Sequence, residues 1–161
     1  MLADLCALVQ ELHVRAWPDV FRPVDIISLQ EWFTEILANK RVKIWVCQVA
    51  GVPAGYVLVR DHERPEDAFC YQRRWYEIEQ IGVRPEHQRQ GIASALFGQV
   101  VASAVAENVK DIELNTWGFN EAAQQAFEKL GLAVRSIRLG METGDRGRGP
   151  GVRRQSSTPP R

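Results

Sequence analysis

No carboxylate occurs between Glu86 and Glu107, although a helix begins inside that interval. Nor does a Ser, Thr, Asp or Asn stand where that helix would be capped. The first four N–H groups of a helix lack intrahelical partners, and an acidic or hydroxylic residue usually meets them. Other shortages narrow the class of molecule. Three cysteines (Cys6, Cys47 and Cys70) are odd in number and lack metal-ligand spacing, which reads as free thiols in a reducing cytosol. The longest uncharged run, Gln90 to Ala106, is shorter than a membrane span. Asp4 interrupts the apolar start with no basic segment before it, so no signal peptide is expected. Formal net charge is zero, which gives the whole molecule no bias toward nucleic acid or membrane.

What is present fits one domain with a core: 161 residues, 45% hydrophobic and 25% charged. The neutral total hides an asymmetry. From Thr143 to Arg161 five arginines face the single acid Asp145, among glycine, proline and serine. Such a segment buries too little to offset its ordering entropy, so a domain over 1–142 and a disordered tail over 143–161 are expected.

Leu2, Leu5, Leu8, Val9 and Leu12 recur at helical spacing and predict a helix to about Arg15. Ser28 with Glu31 reads as a capping box for a second helix bearing Leu29, Trp32, Phe33, Ile36 and Leu37. Val42–Val49 and Ala54–Arg60 are β-rich runs joined by A-G-V-P, a hairpin; Asp61 to Ala68 reads as a charged loop. A strand follows over Arg74–Val83, then a long amphipathic helix from Ile92, a strand over Asp111–Thr116, a helix over Asn120–Leu130 and a last strand over Val134–Met141. The order α-α-β-β-β-α-β-α-β predicts an α/β (α+β) fold, a mixed central sheet with helices on both faces.

Pro85 ends the third strand because it lacks an N–H for the ladder. Gln88, Arg89, Gln90 and Gly91 then lead into Ile92, Ala93 and Ser94, whose backbone N–H groups open the helix. Gly91 lets the backbone approach a ligand, and the positive end of the helix dipole makes an anion site. With Arg89 beside it, the expected guest is a phosphate or pyrophosphate, and a carboxylate there would repel it. Neither G-K-[ST] nor G-x-G-x-x-G is present, which excludes a Walker A loop and a dinucleotide fingerprint.

The pattern V-x-P-x-x-Q-x-x-G-x-A, Val83 to Ala93, resembles the acyl-CoA pyrophosphate loop of the GNAT superfamily of N-acetyltransferases. Asn120 to Leu132, N-E-A-A-Q-Q-A-F-E-K-L-G-L, resembles a later segment of the same family, in the right order and at a fitting distance. Two departures stand out. The family opens with a strand, whereas the pattern of this chain begins directly in a helix. A frequent family tyrosine is replaced by Phe127, which has no proton to donate.

The resemblance implies acetyl-CoA as co-substrate, no metal, and transfer of an acetyl group to a primary amine. A lysine-like amine has a free pKa of about 10.4, so a base must take its proton at neutral pH. Glu77 and Glu79 share one strand face by the two-residue period. The resemblance points to Glu77 as that base, with Glu79 as the alternative. It also places a backbone N–H of Ile81, Gly82 or Val83 against the thioester oxygen, with a bulge near Gly82 to Pro85, and Asn120 and Phe127 near the cofactor. By the same analogy Trp17 and Phe21, in the loop H-V-R-A-W-P-D-V-F-R-P, line the acceptor site.

The expected partner is a small-molecule amine or a peptide amine, in the cytoplasm. Neither membrane nor nucleic acid is expected, and a homodimer is allowed. Two other readings stay open: a catalytically silent acyl-CoA-binding or sensor module, and an interaction protein acting through the arginine-rich tail.

Overall fold

The computed structural model describes residues 1–141. The expected disordered tail lies outside the described residues. The chain divides into two units, Met1–Asn115 and the part that begins at Thr116.

In the first unit, helices α1 (Leu2–Ala16) and α2 (Ile26–Leu37) precede strands β1 (Val42–Val49), β2 (Val52–Arg64) and β3 (Arg73–Val83). Helix α3 (Ile92–Ala106) and strand β4 (Asp111–Leu114) complete it. The sheet order is β1-β2-β3-β4, antiparallel except for the parallel pair β3–β4. The mixed sheet flanked by helices is the architecture expected from the element order. Among the described residues no strand precedes α1.

Strand alternation divides the core in two. Val57, Val59, Tyr76 and Ile78 meet Ile92, Leu96, Val100 and Ala104 of α3, which recur every four residues on one helical face. Tyr56 and Leu58 point the other way, onto Ala3, Leu5 and Cys6 of α1 and Phe33 of α2. Full burial of each Val, Leu, Ile or Phe side chain among these contributes roughly 1.5–3 kcal/mol. Gly82 lets α1 lie close to β3: a Cβ there would stand 2.5 Å from Val9 Cγ2.

The α3 face also carries a polar tie. Arg74 reaches Asp61 (2.6 Å) and Glu107 (3.0 Å), and Lys43 reaches Glu107 (2.6 Å). These contacts join the C-terminal end of α3 to three strands. They explain one difference from the sequence reading. Asp61 to Ala68 is not all loop, because β2 runs on to Arg64, paired with β3 as far as Arg64↔Arg73. Asp61 is buried there, and its charge is matched by Arg74.

Helix α2 starts earlier than a Ser28 capping box would place it. Asp25 is the N-cap and accepts from the Ser28 N–H (2.8 Å) and from the Ser28 hydroxyl (3.0 Å). Strand β4 ends at Leu114 rather than Thr116, where its register with β3 stops.

The second unit contains helix α4 (Glu121–Lys129), capped by Asn120, whose side chain accepts from the Ala123 N–H at 3.2 Å. Gly131 follows in the left-handed region (φ +92°), a common helix stop. The strand expected over Val134–Met141 does not form. The backbone there has no ladder partner among the described residues, and Val134, Ile137, Leu139 and Met141 are exposed. Alternating apolar residues make a strand only where a neighbour accepts both the hydrogen bonds and the apolar face.

Candidate active site

The loop between β3 and α3 turns in three steps. Pro85 opens one 3-10 turn, Pro85–His87, and Gln88 is extended. Arg89 (φ +60°) and Gly91 (φ +81°) are both left-handed. A left-handed non-glycine residue costs roughly 1–2 kcal/mol, and such strain concentrates at functional loops. Two side chains tie the loop to its own carbonyls, Gln88 Nε2 donating to Val83 O (3.2 Å) and Gln90 Nε2 to Glu86 O (3.1 Å).

Gly91 is the N-cap of α3, with no side-chain cap and no acid in the first turn. The first helical bond runs from the Ala95 N–H to Gly91 O (2.9 Å). The N–H groups of Gly91, Ile92, Ala93 and Ser94 therefore donate to no protein acceptor among the described residues. Nothing lies within 4 Å of a Cβ built on Gly91, so the space in front of this helix end is open. Unpaired donors, the dipole, open space and exposed Arg89 together fit a pyrophosphate.

Strand β3 has two halves. Arg73 to Ile78 lie beside β2, and from Trp75 to Ile78 the other edge pairs with β4. After Ile78 that pairing stops, and among the described residues Glu79–Val83 keep only β2 as a strand neighbour. A bulge marks the change: Val59 pairs with Ile78 and Leu58 with Gln80, so Glu79 is the extra residue. The bulge expected near Gly82 to Pro85 is absent, since Tyr56↔Gly82 and Gly55↔Val83 are in continuous register.

The extra residue shifts the alternation. Tyr76 and Ile78 face α3, and so do Ile81 and Val83. Gln80 faces α1, where Tyr56 Oη donates to its Oε1 at 2.6 Å. Arg84 N–H donates to Ala54 O (2.8 Å), which by antiparallel alternation turns the Gly82 N–H toward β2 as well. The main-chain groups of Ile81 and Val83 then look to the open edge.

Glu77 and Glu79 do share a face, with Arg60 of β2 opposite Glu77 in the register. Their surroundings differ. Glu79 is bound by both the Nε and the Nη2 (3.1 Å) of Arg60. That hydrogen bonding is the first cause that raises Arg60 above its ordinary pKa. Glu77 accepts instead from the Asn115 amide (Nδ2 to Oε1, 3.0 Å), and its Oε2 lies 3.0 Å from His62 Nε2.

The sheet carries six carboxylates. Asp61, Glu63, Glu79, Asp111 and Glu113 each lie within ion-pair distance of an arginine, and Glu77 does not. His62, Asn115 and Arg60 were not singled out from sequence. They gather around the two glutamates through cross-strand pairing, which leaves no linear signature.

Trp17 and Phe21 are half-buried in the α1–α2 loop. Phe21 packs on His13 (ring centroids 5.0 Å apart), and Gln10 Nε2 donates to Arg22 O at 3.0 Å, which pins the loop to α1. In the second unit Asn120 caps its own helix and Phe127 is half-buried. A depression of about 340 Å³, lined by Arg41, Glu63, Pro65, Glu66 and Gln72, sits at the end of β2 and β3 opposite Val83 and contains none of these residues. Among the described residues no group of three or more His, Cys, Asp or Glu could hold a metal ion, and no helix is long and apolar enough to cross a membrane.

Comparison with solved structures gives the same fold. The BH1408 protein from Bacillus halodurans, in a tetramutant form, superposes with a TM-score of 0.80 at 22% identity, over 87% of this chain and 90% of that one. AAC(6')-Iy, in complex with the bisubstrate analog CoA-S-monomethyl-acetylneamine, gives 0.64 at 17% identity, over 84% and 88%. Ribosomal-protein-alanine N-acetyltransferase from Brucella melitensis biovar Abortus 2308 gives 0.61 at 20% identity, over 88% and 92%. A search of the curated proteins found no match. The profile of the acetyltransferase (GNAT) family matches residues 5–132, most of the chain. With the helix end and the extended β3 edge in place, that match decides the question: this chain belongs to the GNAT family of acetyltransferases.

Proposed function

We propose that the protein transfers an acetyl group from acetyl-CoA to a primary amine of a small molecule, in the cytoplasm. The observation that carries this reading is the start of α3, where four N–H groups lack acceptors among the described residues, beyond the end of a strand that also bears Glu77. From Glu77 to Val83 the strand spans about 20 Å. A pantetheine arm can run along that open edge between an anion site and a base.

Acetyl-CoA supplies the acetyl group as an activated thioester. The first turn of α3 and Arg89 hold the pyrophosphate. The open-edge N–H groups of Ile81 and Val83 polarise the thioester oxygen, a role for which Gly82 faces the wrong way. Glu77 takes the proton from the acceptor ammonium, because Glu79 is bound by two hydrogen bonds from Arg60, whereas Glu77 faces Arg60 across the ladder without a hydrogen bond to it. Phe127 carries no proton to donate. Water suffices for the departing sulfur, because a free thiol has a pKa of about 8.5.

A small acceptor is preferred to a peptide on the ground that the α1–α2 loop is tied to α1 by Gln10 and by the packing of Phe21 on His13, which suits a compact site. The aminoglycoside acetyltransferase among the structural neighbours is an example of such an acceptor class.

The test is release of free CoA from acetyl-CoA in the presence of neamine, spermidine, phenethylamine or an alanine-initiated peptide, with calorimetric titration of CoA alongside. Turnover of a small amine with measurable CoA affinity is expected. CoA binding without turnover would make the chain a silent acyl-CoA binder, and preference for the peptide would overturn the small-molecule assignment.

A further inference from the structure

His62 sits next to Glu77 in a way the family pattern does not require. Its ring stacks on Trp75 (centroids 5.0 Å apart, planes 13° apart), and Trp75 is held in turn by the Arg73 guanidinium at 4.9 Å. The stack fixes the imidazole plane. His62 Nε2 is shut off from solvent and lies 3.0 Å from Glu77 Oε2, yet it lacks the alignment of a formed hydrogen bond. The other oxygen, Oε1, is already held by Asn115. A buried polar atom without an aligned partner is rare and costly, and catalytic hydrogen bonds often align only when substrate is present.

We propose that His62 is a positioning residue for Glu77: its Nε2–H closes onto Oε2 when the acceptor amine binds, so that Asn115 and His62 together hold the carboxylate toward the amine. This rests on Glu77 being the base. An ionised carboxylate only accepts hydrogen bonds, so the neutral ring must keep its proton on Nε2 to serve this role. Arg60 and Arg73 are the other charges nearby, and both are engaged, with Glu79 and with Asp111 and Glu113. Glu77 is the carboxylate left for the imidazole.

Two measurements decide it. The first needs no acceptor: nitrogen-15 spectra of the histidine rings at mildly alkaline pH, with His62 assigned by its loss in His62→Phe. Because Oε2 already lies 3.0 Å from Nε2 and favours a proton there before the bond aligns, the parent should show His62 as the Nε2–H tautomer, and Glu77→Ala should give a mixture. An Nδ1–H ring in the parent, or no change in Glu77→Ala, would overturn the proposal.

The second uses acetyl-CoA and the amine that the panel turns over fastest. His62→Phe keeps the stack and removes the donor, so kcat should fall about tenfold, the worth of one hydrogen bond to a charged group, with KM for acetyl-CoA unchanged. His62→Gln, which restores a donor, should recover most of the rate. In a Glu77→Gln background, His62→Phe should cost nothing further, since the two act as one unit. The same tenfold loss in both backgrounds would show a merely structural histidine and sink this inference alone. Parent-like turnover in Glu77→Gln by itself would instead sink the assignment of Glu77 as base.

Discussion

Two charged clusters lie on opposite faces of the same sheet, and they treat their carboxylates differently. On the α3 face, Asp61 and Glu107 are matched by Arg74 and Lys43, and the contacts join α3 to β1, β2 and β3. On the α1–α2 face, Arg60 hydrogen-bonds Glu79, while Glu77 accepts from an amide, lies beside an imidazole and meets Arg60 only as a charge across the ladder. A carboxylate locked to a guanidinium is a poor base, because the cation favours the ionised form. One cluster therefore holds the fold, and the other leaves Glu77 as the carboxylate without a hydrogen-bonded arginine.

The sharpest way to break that contrast is to neutralise each glutamate in turn. Glu77→Gln should lower turnover by about 10²–10⁴-fold, the usual worth of a positioned general base, with CoA affinity unchanged. Glu79→Gln should change turnover by no more than about threefold, a modest effect beside the general-base range. Steady-state rates with a panel amine check both.

On the structural face the effect should appear in stability instead. Asp61→Ala leaves Arg74 half-buried without its main partner and should cost about 2 kcal/mol in denaturant unfolding. Acetyl transfer at a temperature where the variant remains folded should persist.

A smaller effect separates the helix end from both clusters. Ala93→Asp places a carboxylate in the first turn of α3, where it would favour the free helix by about 0.3–1 kcal/mol. The same charge should repel a pyrophosphate and weaken CoA binding by about tenfold, or 1.4 kcal/mol. Thermal melting and calorimetry on one preparation should move in opposite directions.

The smallest expected effect is on the pH dependence of stability. The hydrogen bond from Lys43, then that from Tyr76, holds Glu107 below the usual carboxylate range. A lowered folded-state pKa contributes stability that is complete above the ordinary glutamate value, near 4.3, and is lost as pH falls through the lower folded value. Lys43→Met should flatten the acid-side loss below about pH 4 in melting curves. It should leave stability near neutrality only slightly changed, since Glu107 keeps Arg74.

The linear features of this molecule were legible in its sequence, and the cross-strand ones were not. Pro85, Gly91 and the missing acids announced the α3 helix end because capping is a local matter. Val42–Val49 was found to the residue by its β-branched content. The bulge at Glu79 was invisible, because E-I-E-Q-I reads as unbroken alternation through the extra residue. His62 fell in what looked like a charged loop, since D-H-E-R is strand-like only once Arg74 neutralises Asp61. Asp25 was passed over as a cap because the apolar pair Ile26 and Ile27 hid the start of α2. Val134–Met141 had a strand's pattern and found no neighbour.

The most direct test of the account is the pH–rate profile of Glu77→Gln for acetyl transfer to the best amine of the panel. If Glu77 is the base, the loss should be about 10²–10⁴-fold near pH 7 and shrink steadily toward pH 10, where the amine sheds its proton unaided. Parent-like rates near pH 7 would contradict it and remove Glu77 as the base. A loss that stays constant across the whole pH range would equally contradict a proton-accepting role.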